Sequence, residues 1–491
     1  MLASFVISIT LPAPSLADHF PIMDIILPIL VIFVVVVIFN IIIFVHELGH
    51  FLAARWRGLE VERFQIWFGK PIWKKTYNGV QYGLGWIPFG GFVALPQMAT
   101  MEAIEGENKN DAPLLPAKPL DKIIVAFAGP LFSFLLAFVT AIAVWGVGKP
   151  DTKLTPTTLG YIKPGSPAEK GGLKPGDKIL TIGKNKIDAW AGNIDTGIVE
   201  SLATSEGEKI KITVERPGED KPVTLHVGFE IPDTPWWQRS AMRKIGISYK
   251  EPVIIGKILE NSPIAEAGLQ SDDIILTHNG QPTTSALQII DLAKIGDPVI
   301  FTVKRGDEEL EITATPRKPM APNDERTAFG MGFAHDNSLI SDQIVHPGPW
   351  QQIVDSALVM KKTLQLVTSR SSSIGVDQLA GPVGIGKGYF EMLTSSSDGW
   401  KLALAFTVLF NINLAIINML PFPVLDGGHI TLSLIEIIAG RPVHVKLLEI
   451  IQTCFVFMIF GLFIYITSKD VGSFVPGGQK ADTEIKFAPS K

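Results

Sequence analysis

The 491-residue chain holds a single cysteine, Cys454. One thiol excludes an internal disulfide framework and any CxxC metal site. Because Cys454 sits in an apolar run, it behaves as a small hydrophobe and says nothing of the redox compartment. Strong charge of one sign is also missing. The 43 Lys+Arg residues against 48 Asp+Glu leave a net charge of −5, too little for a nucleic-acid surface, and no dinucleotide cofactor is expected either. Residues 1–24 contain no Lys or Arg. The apolar stretch there therefore lacks the basic start of a secretory signal, and it reads as an uncleaved lead-in in spite of the small-residue sequence around Ala17.

What the chain has in excess is apolar sequence: 47% of residues are hydrophobic and mean hydropathy is +0.29. Four runs approach the roughly 20 apolar residues a bilayer crossing needs: Ile25–Val45, Ile123–Val147, Leu402–Leu420 and Leu447–Ile466. The connection after the first run carries Arg55, Arg57, Arg63, Lys70, Lys74 and Lys75, which makes that side cytoplasmic by the positive-inside rule. The long region between the second and third runs then lies outside the cytoplasm. The expected organisation is a lead-in at 1–24, a first span at 25–50, a cytoplasmic loop at 51–119 and a second span at 120–148. Soluble units follow at 150–231 and 246–318, then an amphipathic region at 319–399, a third span at 400–430, a fourth at 447–467 and a tail at 468–491.

Within the cytoplasmic loop, Gly79–Leu95 mixes β-formers with Gly and Pro and reads as a hairpin apolar enough to enter the membrane. Backbone of that kind is tolerated at depth only against protein or a water-filled cavity, so it should line something. Met98–Pro119 is acidic, polar and Pro-containing, and reads as a mobile loop. Farther on, Pro349–Arg370 places Ile353, Ala357, Met360, Leu364 and Val367 at helical spacing, as expected of an amphipathic helix on the outer membrane–water interface.

The soluble region contains an internal repeat. Tyr161–Ile187 aligns with Lys257–Thr283, each reading S-P, then G-L, then a polar turn, then D-x-I-L. Later strand pairs are expected near Lys209–Val227 and Pro298–Pro316. The pattern resembles PDZ domains in the circularly permuted form of bacterial envelope proteases. That resemblance implies two tandem peptide-binding or size-gating modules, with ligand loops expected at Thr157–Tyr161 and Val253–Gly256.

The chemistry sits where the first run ends. His46-Glu47-Leu48-Gly49-His50 is an H-E-x-x-H sequence. On a helix, positions i and i+4 share a face, so both imidazoles can bind one Zn²⁺, and the adjacent Glu47 is placed to act as general base. Ionisable groups at membrane depth are costly and are kept for function. A catalytic zinc wants a third protein ligand. Asp426, in Asn418–His429 beyond the third run, is the best candidate and His429 competes with it. His278 and His444 lack supporting context.

An H-E-x-x-H in the first span, an N-x-x-P-x-P-x-L-D-G segment at the third and two PDZ-like repeats between them resemble the site-2 protease family over nearly the whole chain. The resemblance implies a polytopic α-helical intramembrane zinc endopeptidase with four transmembrane helices, a membrane-associated β-hairpin and two extracytoplasmic PDZ domains in a bacterial inner membrane. It implies His46, His50 and Asp426 as zinc ligands, Glu47 as catalytic base and Asn418 as a substrate-backbone contact. The implied substrates are single-pass membrane proteins, among them a pre-cleaved anti-sigma factor and remnant signal peptides. Asn411, two turns before Asn418, shares its helix face and either lines the cleft or joins helices. Two other classes remain: a PDZ scaffold with a vestigial metal site, and a processing enzyme for lipid-linked substrates.

Overall fold

The computed structural model describes residues 23–98, 117–320, 327–334, 336–341, 343–441, 445–473 and 486–488. The expected mobile loop falls mostly on 99–116, outside the described residues, and so does His444. Among the described residues, four helices are long and apolar enough to cross a membrane. They lie in α1 (Met23–Arg57), α2 (Pro119–Val147), α9 (Gly399–Asn418) and α11 (Val445–Gly472). The first runs for 35 residues, about 52 Å at 1.5 Å per residue. It therefore continues past His50 and carries the basic Arg55 and Arg57 in its last turn.

Helix α2 is the centre of the bundle and packs on both α1 and α9. Its buried face is a row at every fourth position: Val125, Gly129, Ser133, Ala137 and Ala141. Small residues let backbones approach where lipid offers no hydrophobic drive for association. By contrast α11 keeps most of its side chains on the outside. Its C-terminal end is fastened. Asp470 is fully buried and accepts from Arg239 and from the backbone N–H of Gly384 at 2.7 Å. The neighbouring Lys469 donates to the carbonyl of Gln238 at 2.9 Å.

After α1 comes a four-stranded sheet: β1 (Arg63–Phe68), β2 (Trp73–Tyr77), β3 (Val80–Leu84) and β4 (Ile87–Ala94), in the order β2-β3-β1-β4. This corrects the hairpin expected at Gly79–Leu95. The hairpin is β2–β3, turning at Asn78-Gly79, where both residues have positive φ (47° and 80°) as a tight hairpin turn requires. β3 and β4 never pair, because β1 lies between them, parallel to β3 and antiparallel to β4. β4 is left as an edge strand. The Trp67 indole N–H donates to Asn40 of α1 at 2.5 Å, which places this sheet beside the apolar helix and gives the one Asn of that run a partner.

Short strand β5 (Lys149–Pro150) leads into the first soluble unit: β6 (Leu159–Ile162), α3 (Pro167–Lys170), β7 (Lys178–Ile182), β8 (Asn185–Lys186), α4 (Ile198–Ala203), β9 (Ile210–Glu215), β10 (Val223–Val227) and β11 (Ile247–Tyr249). The second unit repeats it: β12 (Val253–Ile258), α5 (Pro263–Ala267), β13 (Ile274–His278), β14 (Gln281–Pro282), α6 (Ala286–Ile295), β15 (Val299–Arg305), β16 (Glu308–Ala314) and β17 (Met331–Ala334). Ser166 and Ser262 cap the matching helices, each accepting from a backbone N–H three residues on. In both units an arginine at the end of a late strand grips the buried aspartate of the polar turn: Arg216, just past β9, with Asp177, and Arg305, the last residue of β15, with Asp273.

The repeat boundaries need correction. Ile245 belongs to the core of the first unit and Ile247 packs against it, while Phe329 belongs to the core of the second. Each unit is closed by a strand from beyond the expected end, β11 on β6 and β17 on β12. The expected ligand loops are corrected with them. Thr157–Tyr161 and Val253–Gly256 feed interior strands: β12 pairs with both β13 and β17, so its backbone has no free edge. Beside these segments the outer strands are β11 and β17; the remaining sheet edges are β8 and β10 in the first unit and β16 in the second.

Beyond β18 (Ile344–Val345), α7 (Pro349–Thr368) forms at the expected place. Its Ile353 is buried among Ala137, Ala141, Val144, Val408 and Ile412, and Lys362 reaches Asp195 of the first unit at 2.8 Å. The helix thus packs on α2 and α9 with its buried side, while Trp350 and Leu358 stay exposed. A further helix, α8 (Pro382–Ser395), packs against α1, α9 and α11. The expected third span at 400–430 is two helices: α9 stops at Asn418, and α10 (Asp426–Ala439) starts after a break that contains Pro421 and Pro423.

Candidate metal centre

Two elements far apart in sequence bring three polar groups together. His46 and His50 lie one turn apart on α1, and Asp426 is the first residue of α10. The two imidazole Nε2 atoms are 3.3 Å apart. Each is also 3.3 Å from the carboxylate, His46 from Oδ2 and His50 from Oδ1. Ligands at about 2.0–2.1 Å from a tetrahedral zinc stand about 3.3–3.4 Å from one another. The two nitrogens stand at the spacing of neighbouring ligands on zinc, and each faces one carboxylate oxygen at the same distance, so the three side chains can hold a zinc ion and leave a position for a small ligand. Among the described residues this is the only cluster of three or more His, Cys, Asp or Glu groups close enough to share an ion.

Helix α2 orients both imidazoles. Nδ1 of His46 meets the Ser133 hydroxyl at 2.9 Å, and Nδ1 of His50 meets the Val125 carbonyl at 2.8 Å. Val125 can only accept, so His50 carries its proton on Nδ1 and leaves Nε2 for a metal. Such outer partners fix the tautomer and the ring plane. Gly129 lies between these two contacts. A Cβ there would stand 2.2 Å from His50 Nε2 and 2.9 Å from His46 Nε2, so only glycine leaves room for the donors.

The donors open on a cavity of about 440 Å³ that also takes in Glu47, Asn418 and His429. Asn418, the last residue of α9, holds its amide 3.4 Å from His46 Nε2. On the other side the wall is β4, through Gly90, Gly91, Phe92 and Val93. A Cβ on Gly91 would lie 3.0 Å from Ile43 and 3.3 Å from Glu47 Cγ, so the glycine lets the strand close on the helix beside the acid. The backbone at Gly427 and Gly428 packs equally tightly on the carbonyls of Met419 and Phe422, which brings Asp426 back towards α1.

The sequence-expected residues sort as follows. His46, His50 and Asp426 converge, and Glu47 and Asn418 line the same cavity. His429 faces that cavity but stands outside the three-donor cluster. His278 is in the second soluble unit, bonded to Thr283 at 2.8 Å. Asn411 is fully buried and donates to Thr407 one turn back on its own helix, so it packs between helices. Sequence reasoning missed Val125, Gly129 and Ser133. Their spacing of four on an apolar helix is no more than ordinary helix packing also shows, so the sequence held no distinct signal for them.

An H-E-x-x-H helix set among helices that can cross a membrane, with a carboxylate closing the donor set, defines a membrane metallopeptidase. The comparisons agree. The model of Peptidase family M50 matches residues 21–462, and the chain belongs to that family. The regulator of sigma E protease of Haemophilus influenzae is 28% identical over 448 residues, 87% of this chain and 95% of that one. RseP of Salmonella typhimurium is 29% identical over 438 residues, 83% and 91% of the two chains. A Vibrio cholerae protein named as a candidate zinc metalloprotease is 29% identical over 444 residues, 84% and 92%. Among solved structures, the PDZ domain of an SdrC-like protein from Listeria monocytogenes matches at 21% identity, with a TM-score of 0.16, covering 18% of this chain and 93% of that one. The protein is a zinc metalloprotease that works in a lipid bilayer.

Proposed function

We propose that the protein cleaves transmembrane segments of single-pass membrane proteins, with His46, His50 and Asp426 as zinc ligands and Glu47 as general base. The observation that carries this reading is the convergence of His46, His50 and Asp426, each imidazole Nε2 3.3 Å from the other and from a carboxylate oxygen, on an apolar helix and beside an acid in the same cavity. Bound zinc supplies the Lewis acidity that brings a water's pKa towards about 7. Glu47, beside the donors in the same cavity, is placed to take a proton from an attacking water and to hand it to the leaving amine. Asn418 donates its amide to the substrate backbone. A helical substrate hides its carbonyls in its own hydrogen bonds, so a few residues must be unwound first. The unpaired edge of β4 takes the unwound stretch as an added strand, directly beside Glu47.

The two soluble units act as PDZ domains outside the cytoplasm and screen the external portion of a substrate. The metal side faces the cytoplasm, in keeping with the basic residues after α1. Under this reading the enzyme resides in a bacterial inner membrane. Its substrates are proteins already trimmed outside, such as an anti-sigma factor, and leftover signal peptides. The test is mass-spectrometric mapping of cuts in a single-pass model substrate reconstituted with the enzyme. Cuts inside the span with wild type, and none with Glu47→Gln, are expected. Cuts confined to extramembrane segments would overturn the reading.

A further inference from the structure

We propose that the C-terminal tail is an intramolecular ligand of the second soluble unit, docked through Phe487 against the loop that opens β17. Lys486–Ala488 lie on that unit, although α11 ends at Gly472 against the segment between β10 and β11 of the first unit, where its backbone packs on the Trp237 carbonyl. The Met320 N–H donates to the Lys486 carbonyl at 2.7 Å. The Arg317 guanidinium donates to the Ala488 carbonyl at 3.0 Å and stands 5.7 Å from the Phe487 ring. Arg317 is itself held by both oxygens of Glu266, at 2.9 and 2.7 Å. Between these two backbone contacts Phe487 is buried to 3% exposure.

The seat is shaped for the ring. Gly330 has φ +81°, and a Cβ there would stand 2.7 Å from Phe487 Cε2 and 2.3 Å from Ser262 Cβ. A side chain at 330 would thus take the place of the aromatic edge. The tail sequence from 476 onward, PGGQKADTEIKFAPSK, contains one aromatic residue. So polar a segment gains little from collapsing onto a surface, so the burial of its one ring reflects a specific seat.

The seat has a neighbour. Phe329, Gly330 and Met331 also line a cavity of about 220 Å³ between α6 and β17, with Ile289 and Ala293 on the helix side. The tail and whatever enters this cavity share one wall, so a docked tail fixes the shape of that wall. Twelve residues, 474–485, join the end of the described helix segment to Lys486. A linker that short holds the tail at a high effective concentration, so the docked form predominates without tight intrinsic binding. This inference stands apart from the reading of the metal centre.

The test uses a fluorescein-labelled peptide of residues 476–491, titrated by anisotropy against the detergent-purified full chain. The Phe487→Ala chain, its seat vacated, should bind the peptide at least ten-fold more tightly than wild type, whose own tail competes. Binding should vanish when the peptide carries Phe487→Ala, and again when the receptor carries Phe487→Ala together with Arg317→Ala. No saturable binding to the Phe487→Ala chain, equal binding to both chains, or indifference to the peptide's phenylalanine would each overturn the proposal. Hydrogen exchange supplies the second readout. Amides of 328–334 should exchange faster in Phe487→Ala than in wild type, and unchanged exchange there would sink the claim that the tail fixes the cavity wall.

Discussion

Ser133 is a small, fully buried hydroxyl whose contact with His46 Nδ1 gives it influence over the donor set. Outer partners of this kind change metal affinity by about 10–100-fold. Ser133→Ala should therefore weaken zinc binding by about ten-fold in a chelator competition while the protein stays folded. Gly129→Ala should be far more damaging, because its methyl would enter the space of His50 Nε2, and zinc content should fall well below one per chain. At this scale the sequence was highly legible for the two candidate donors on one helix. His46 and His50 are four residues apart, and a local period reports them. Asp426 was reachable only through the Pro- and Gly-rich break that carries it. Val125, Gly129 and Ser133 were not legible. A carbonyl carries no side-chain signal, and small residues on an apolar helix look like ordinary packing until the partner helix is known.

At the scale of elements, strand partners decided what the sequence could and could not reveal. The four spans and the repeated S-P and G-L segments follow from local pattern. The sheet orders do not: β1 inserts between β3 and β4, and each soluble unit takes its closing strand from beyond the repeat. The expected hairpin and the expected ligand loops failed for that one reason. The fastening of α11 is likewise non-local. Arg239→Ala would leave Asp470 charged, buried and without its cation, and breaking such a pair costs about 3–5 kcal/mol. A drop of that order in stability should appear as a lowered midpoint of thermal unfolding in detergent. Acid should act on the second soluble unit through Asp273. The hydrogen bonds from Arg305 hold its carboxyl below the usual carboxylate range. A depressed native value means that this stability is present above the unfolded value near 3.9 and lost as pH falls through the native one. The unit should lose protection from hydrogen exchange on acidification below about pH 4, and Asp273→Asn should flatten that dependence.

For the whole molecule, the arrangement puts a water-requiring reaction at the end of an apolar helix, a strand edge beside it, and two soluble units between the second and third spans. Under the proposed function, a substrate carrying a folded external domain should be cut more slowly than the same span without one, in proteoliposomes where both are present at equal density. Equal rates would remove the filtering role and leave the metal centre untouched. The central claim rests on His46, His50, Asp426 and Glu47 acting together, and one paired measurement addresses it most directly. Zinc per chain and cleavage of a single-pass substrate are determined on the same detergent-purified samples of wild type, Glu47→Gln and Asp426→Asn. One zinc is expected in wild type and in Glu47→Gln, with cleavage lowered by at least about a hundred-fold in Glu47→Gln, and reduced zinc in Asp426→Asn. Full cleavage by Glu47→Gln, or undiminished zinc in Asp426→Asn, would contradict the claim.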